Sequence, residues 1–115
     1  MLGRTTAVQV WARARPTDLR LGFRGLAGLV RSEFHREIES GDLFLFVNRR
    51  RTSAKVLLWD GTGLCIYAKR LSKGSFVALW PEGGADQPLR LDITELNLFL
   101  ERATQHRAKC SRTKK

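Results

Sequence analysis

The strongest constraint on the fold is a hairpin in the middle of the chain. Two runs rich in branched and aromatic residues, 55–59 and 64–71, flank a short loop that contains Gly61 and Gly63. A short glycine-containing loop between two such runs is typical of a β-hairpin, because glycine adopts the positive φ that tight reversals need. The middle of the chain therefore predicts antiparallel strands.

Two further runs have the composition of strands. Residues 43–47 precede the hairpin, and residues 75–80 follow it after a short turn. Because successive strands joined by short connections form a meander, we expect an antiparallel sheet of four strands. Val8, Val10 and Ala12 occupy alternate positions, which predicts a short additional strand at an edge of the sheet.

Helical patterns lie on either side of these strands. Apolar residues recur every three to four positions through 19–38, which predicts a first helix. Asp92 and Glu95 have the spacing of a capping box, so a second helix should begin there. The predicted class is α+β: an antiparallel four-stranded β-meander with an N-terminal and a C-terminal helix packed on it. The residues expected to be buried are Leu26, Phe44, Phe46, Val56, Leu58 and Ile66.

Length and charge limit the organisation and the partners. The 115 residues have room for one core, so we expect a single domain over 1–101 followed by a basic, flexible tail over 102–115. The 21 Lys and Arg residues exceed the 11 Asp and Glu residues and give a formal charge of +10. Such a charge attracts polyanions, nucleic acid first among them, although it can also serve solubility alone.

The chain has no sequence signal for a membrane or for export. Its longest purely apolar runs have five residues, far short of the roughly 20 that span a bilayer. The N-terminus lacks the continuous apolar stretch of a secretory signal, so a cytoplasmic location is expected. Cys65 and Cys110 do not have the spacing of a zinc or redox site, and we expect no disulfide.

The sequence does not contain a recognisable catalytic pattern. His35 and His106 have no partner at a spacing that would suggest a general base or a metal ligand. Asp18, Asp42 and Asp60 each fall at a predicted turn or cap, although three turns could meet in space and hold divalent ions. We expect no enzymatic activity, no metal and no cofactor.

Basic residues beside aromatic ones form the best candidate for a binding site. Lys and Arg bind phosphates with release of counterions, and aromatic faces can stack on single-stranded bases. Most of the aromatic residues are needed for the core, so the basic residues are the better candidates. The candidate DNA-binding residues are Arg49, Arg50, Arg51, Lys55, Lys69, Arg70, Lys73, Arg107 and Lys109.

Five blocks, in this order, resemble the TnpB accessory proteins of the sixty-six family of insertion sequences. They are TDLRLGFRGL at 17–26, GDLFLF at 41–46, the arginines at 49–51, KVLLWDGTGL at 55–64 and YAKRL at 67–71. The similarity covers about 8–101, and the chain departs from the family pattern where Arg102, rather than glycine, follows Glu101. This family is unrelated to the RNA-guided nuclease of the same name.

The resemblance implies a helper of transposition that is encoded beside a larger transposase, and it supplies no catalytic residues. Two hypotheses follow. The chain is either an accessory protein that binds DNA through its basic surface, or an adaptor that joins the transposase without direct DNA contact. The oligomeric state stays open.

Overall fold

The computed structural model describes residues 8–102. These residues form a five-stranded mixed sheet with the strand order β4-β3-β2-β1-β5, and two helices pack on it. In chain order the elements are β1 (Val10–Ala12), α1 (Phe23–Leu29), β2 (Leu43–Val47), β3 (Ser53–Trp59), β4 (Leu64–Arg70), β5 (Leu89–Leu91) and α2 (Ile93–Glu101). The class is α+β as predicted, but the number and direction of the strands differ.

The predicted hairpin is confirmed. β2 pairs antiparallel with β3, and β3 pairs antiparallel with β4, in a register that places Leu57 opposite Ile66. The carboxylate of Asp60 accepts bonds from the backbone N–H groups of Thr62 at 2.9 Å and Gly63 at 3.0 Å. These bonds hold the reversal between β3 and β4, so its geometry follows from residues inside the loop.

The predicted fourth strand, 75–80, is wrong. Apart from one bridge at Ser75, this segment has no regular structure and lies on the face of the sheet that α2 covers. Phe76 is fully buried there, and its ring stacks on Phe99 with centroids 4.8 Å apart. The segment therefore contributes to the core through Phe76 rather than through a ladder of backbone bonds, and apolar composition alone does not separate these two uses.

The prediction that the N-terminal strand lies at an edge of the sheet is wrong. β1 lies between β2, to which it is parallel, and β5, to which it is antiparallel. Parallel neighbours need a long crossover connection, and the segment that contains α1 supplies it between β1 and β2. A three-residue strand carries too little sequence pattern to reveal that it has two neighbours.

The first helix is shorter than the predicted 19–38. α1 begins at Phe23 and continues as a π-helical turn over Val30–Phe34. His35 then adopts a left-handed conformation with φ of 55°, and its N–H group donates to the carbonyl of Val30. This residue ends the helix, and Ile38–Ser40 forms a separate 3-10 turn.

Both faces of the sheet are covered. α1 packs on one face around Leu26, Phe44 and Leu57, and α2 packs on the other around Leu45 and Val56. Of the predicted core, Leu26, Phe44, Phe46 and Val56 are buried, whereas Leu58 and Ile66 are only half-buried. β2 buries both sets of its alternating side chains because it is an inner strand between two helical layers.

α2 begins as the sequence predicts. The carboxylate of Asp92 accepts a bond from the N–H group of Glu95 at 2.7 Å, and the carboxylate of Glu95 accepts one from the N–H group of Asp92 at 2.8 Å. Neither α1 nor α2, the helices of the described part of the chain, is long and apolar enough to cross a membrane.

Candidate nucleic-acid interface

An open depression with basic walls lies at one end of β2, β3 and β4. Four arginines from three segments line it: Arg20 before α1, Arg49 and Arg50 in the turn between β2 and β3, and Arg70 at the end of β4. Its volume is about 1170 Å³, and the other lining residues are Pro16, Thr17, Asp18, Leu19, Asn48 and Ser53. The turn between β2 and β3, the end of β4 and the loop before α1 thus meet in one place.

Asn48 holds the arginine turn in shape. Its side-chain oxygen accepts bonds from the backbone N–H groups of Thr52 at 2.9 Å and Ser53 at 3.0 Å. The backbone N–H group of Asn48 also donates to the carbonyl of Ser53 at 3.1 Å. Arg49 and Arg50 lie at the exposed tip of this turn. Because the backbone is already ordered, a ligand bound by these two side chains would not have to order the loop.

Arg51 bonds to another segment of the protein, whereas Arg49 and Arg50 are exposed. Its guanidinium donates to the carbonyl of Phe76 at 2.9 Å, and its own carbonyl accepts a bond from the N–H group of Phe76 at 2.7 Å. The residue is half-buried and has a φ of 60°, a left-handed conformation that a non-glycine residue rarely adopts. Arg51 therefore ties the turn to the segment 75–80, and it does not line the depression.

Two of the candidate lysines are also engaged within the fold. The ammonium of Lys55 donates to the carbonyls of Leu19 at 2.7 Å and Leu21 at 3.2 Å, which anchors the loop before α1. The ammonium of Lys69 donates to the carbonyl of Leu100 at 2.6 Å, in the last turn of α2, where a cation is favoured. Both lysines thus help to position the helices.

The remaining candidates are Lys73, Arg107 and Lys109. Lys73 is exposed in the turn after β4 and does not line the depression. Arg107 and Lys109 lie outside the described residues. Among the described candidates, the structure brings Arg49, Arg50 and Arg70 together, whereas Arg51, Lys55, Lys69 and Lys73 do not line the depression.

Arg20 was missed by the sequence reasoning. It makes an ion pair with Asp18 at 2.8 Å, and its Nε and Nη2 atoms contact both carboxylate oxygens. The hydrogen bonds from Arg20 lower the pKa of Asp18 to about 2, so the carboxylate stays charged at neutral pH. Arg20 lies near the arginine turn because the N–H group of Thr17 bonds to the carbonyl of Val47 at 2.9 Å. Since this contact joins segments that are distant in the chain, no local sequence pattern marks Arg20.

The three aspartates that could have met as metal ligands are each used locally. Asp18 pairs with Arg20, Asp42 accepts from the N–H group of Gln9 and from the indole of Trp11, and Asp60 holds its own turn. Within residues 8–102, no three His, Cys, Asp or Glu side chains come close enough to hold a metal ion.

The cysteine in the described region contributes to a turn. Cys65 is a free thiol, and its Sγ donates to the carboxylate of Asp60 at 3.4 Å. This bond and the neighbouring negative charge raise the pKa of the Cys65 thiol above its usual value. A thiol held in its protonated form is a poor nucleophile, so Cys65 does not suggest catalysis.

A second pair of arginines surrounds an aromatic ring on β1. The guanidinium of Arg36 lies 4.1 Å from the ring centroid of Trp11, and that of Arg90 lies 5.8 Å from it. Cation–π contacts of this kind stabilise exposed surfaces by about 0.5–1 kcal/mol. Both guanidinium groups contact the indole of Trp11, so we interpret this cluster as a structural contact that connects β1, β5 and the end of the first helical segment.

The described residues hold only part of the positive charge. Six of the 21 Lys and Arg residues, but none of the 11 Asp and Glu residues, lie outside 8–102. The terminal segments therefore carry more than half of the net charge of +10. The depression is consequently a local concentration of charge on a domain whose own excess is moderate.

Comparisons with known proteins place the chain in one family. The profile of the family described as "IS66 Orf2 like protein" matches residues 8–109. Two proteins of Sinorhizobium fredii are similar: uncharacterized protein y4hO, 42% identical over 80 residues that cover 68% of each chain, and uncharacterized protein y4jC, 31% identical over 77 residues that cover 67% of this chain and 66% of the relative. No solved structure shows a significant match. The chain therefore belongs to the IS66 Orf2-like family of accessory proteins associated with transposition.

Proposed function

We propose that this accessory protein binds the phosphate backbone of DNA in the basic depression and so assists a separate transposase. The observation that carries the proposal is the convergence of three segments on one open surface, which brings together Arg20, Arg49, Arg50 and Arg70. Arginine is suited to phosphate because its planar guanidinium offers several donors in a fixed geometry.

The shape and composition of the depression favour contacts with the backbone rather than with bases. Among the described residues, no aromatic side chain lines the depression, and Phe44, Phe46 and Phe76 are fully buried in the core. The turn presents charged side chains and no helix that could enter the major groove. Contacts of this kind position a protein on DNA without reading its sequence.

The proposal predicts that three arginines of the depression carry much of the salt dependence. In the triple variant R49A/R50A/R70A, the plot of log affinity against log salt should flatten by up to about 2.7, because each lost phosphate contact contributes roughly 0.9. The measurement is fluorescence anisotropy with a labelled duplex over about 50 to 300 mM salt.

A matched control removes the same charge from elsewhere. Arg24, Arg31 and Lys73 are exposed and do not line the depression, so R24A/R31A/K73A should keep most of the slope. Equal losses in both triple variants would show that DNA responds only to overall charge. A wild-type protein that binds no DNA at low salt, yet co-purifies with the transposase, would favour the adaptor hypothesis.

Asp18 provides an independent prediction for the same site. Its carboxylate stays ionised at neutral pH because its pKa is about 2, and it competes with phosphate for Arg20. Asp18→Asn should therefore strengthen DNA binding and steepen the salt slope by up to about 0.9, as Arg20 gains a phosphate contact.

The control for Asp18 is another exposed Asp–Arg pair. Asp86 pairs with Arg15 at 2.9 Å and does not line the depression. Asp86→Asn makes the same change of net charge, so it should alter the affinity far less. If both variants strengthen binding equally, the effect of Asp18 is not local and the assignment of Arg20 to the site is wrong.

A further inference from the structure

An apolar groove runs beside α2, on the face of the sheet opposite α1. Its floor and walls include Leu79, Leu91 and Phe99, and its volume is about 290 Å³. Val77 and Leu98, which also line it, are each 46% exposed. Because contiguous exposed apolar surface marks interaction sites more often than isolated apolar side chains do, this groove is a candidate interface.

Charge is placed at the two ends of the groove. Glu95, Leu98 and Arg102 all line it. Glu95 and Leu98 lie on one side of α2, and Arg102 is the residue that directly follows the helix, with its N–H group bonded to the carbonyl of Leu98. Within the described residues, Arg102 makes no ion pair with Asp or Glu. Glu95 uses one carboxylate oxygen in the capping box, and its other oxygen is available.

This arrangement is complementary to itself. With a rise of about 1.5 Å per residue, Glu95 lies roughly 4.5 Å from Leu98 along the axis in one direction, and Arg102 lies roughly 6 Å from it in the other. If two copies of α2 pack antiparallel with Leu98 at the twofold axis, each Glu95 meets the Arg102 of the other copy. The apolar side chains then cover one another between the two ion pairs.

We propose that two copies of this protein associate symmetrically through the groove beside α2, with Leu98 at the twofold axis. Such a pairing uses the same patch on both copies and closes after two. The groove shares no lining residue with the basic depression, so dimer formation leaves both depressions open. The inference is therefore independent of DNA binding.

The first test is the mass of the full chain in solution. Light scattering after size exclusion should show a mass that rises from 13.1 kDa towards twice that value as the concentration approaches the order of 1 mM. Leu98→Asp should raise the dissociation constant at least about tenfold, because it buries a charge at the axis. A mass that stays monomeric throughout, or association that Leu98→Asp leaves unchanged, would overturn the proposal.

A charge exchange tests the symmetry itself. E95R and R102E should each weaken association, because each leaves like charges opposed. An equimolar mixture of the two variants should associate again, since both ion pairs of the mixed dimer are then complementary. Circular dichroism shows whether each variant is folded, because E95R also removes half of the capping box. A mixture that associates no better than its components would refute the antiparallel arrangement.

Cross-linking locates the axis without relying on charge. In a variant whose Cys65 and Cys110 are serine, Leu98→Cys should form a disulfide-linked dimer on mild oxidation, since the two thiols meet at the axis. Asn97→Cys is the matched control, because Asn97 is exposed on the other flank of α2. Equal cross-linking of the two variants would mean that α2 does not pair about Leu98.

Discussion

Replacing Phe76 with alanine is expected to lower the free energy of unfolding by about 3–5 kcal/mol, a large share of the stability of a domain of this size. Phe76 is fully buried and stacks on Phe99 with an angle of 15° between the rings. The substitution removes the buried ring and leaves a cavity between the irregular segment and α2. Denaturation in urea, followed by circular dichroism, measures the change.

The next residue along the chain provides the control. Val77 is 46% exposed, so Val77→Ala should change the free energy of unfolding by about 0.5 kcal/mol or less. The bonds between Arg51 and Phe76 use the backbone of Phe76 and stay available in the alanine variant. A Phe76→Ala protein as stable as Val77→Ala would mean that segment 75–80 does not pack as the structure shows.

The double variant R49A/R50A is expected to lose about 60-fold in DNA affinity at 0.1 M salt, because each of two phosphate contacts adds roughly 0.9 to the log affinity at this salt concentration relative to about 1 M. Truncation after Ala103 removes five basic residues but should cost less than half as much per charge. The turn is ordered by Asn48, whereas the flexible tail that the sequence predicts would give up conformational freedom on binding. Arg51 is left intact because it supports the turn.

The same anisotropy titrations compare the two variants directly. To give the loss per charge, the decrease in the slope of log affinity against log salt is divided by two for R49A/R50A and by five for the truncated protein. A truncated protein that no longer binds, together with an R49A/R50A protein that binds like the parent, would move the DNA contact to the C-terminal segment. The adaptor hypothesis would then be the better description of the folded domain.

The parts of the fold that sequence reasoning identified depend on residues close together in the chain. Asp60 and Gly61 specify the reversal between β3 and β4, and Asp92 and Glu95 specify the start of α2. In each case the donor and the acceptor are within a few residues of each other. Local chemistry of this kind is visible in the sequence because no distant segment has to be placed first.

The parts that it missed depend on distant segments. β5 is a strand because it pairs with β1, and segment 75–80 lies over the α2 face because Phe76 fits against Phe99. Leu58 and Ile66 follow the apolar pattern but lie on strands that the helices cover less completely than β2. The apolar pattern predicts which side chains face the core, and only tertiary packing decides how fully each of them is buried.

The candidate site shows the same division. The sequence alone determined that Arg49 and Arg50 belong to a basic turn between two strands, and it determined the excess of positive charge. Only the tertiary structure decided that Arg20 and Arg70 join them, and that Arg51, Lys55 and Lys69 instead bind backbone carbonyls. A basic side chain has the same local sequence signature in either use. Its role is settled by whether folding brings a carbonyl within about 3 Å of its donors or leaves them facing solvent.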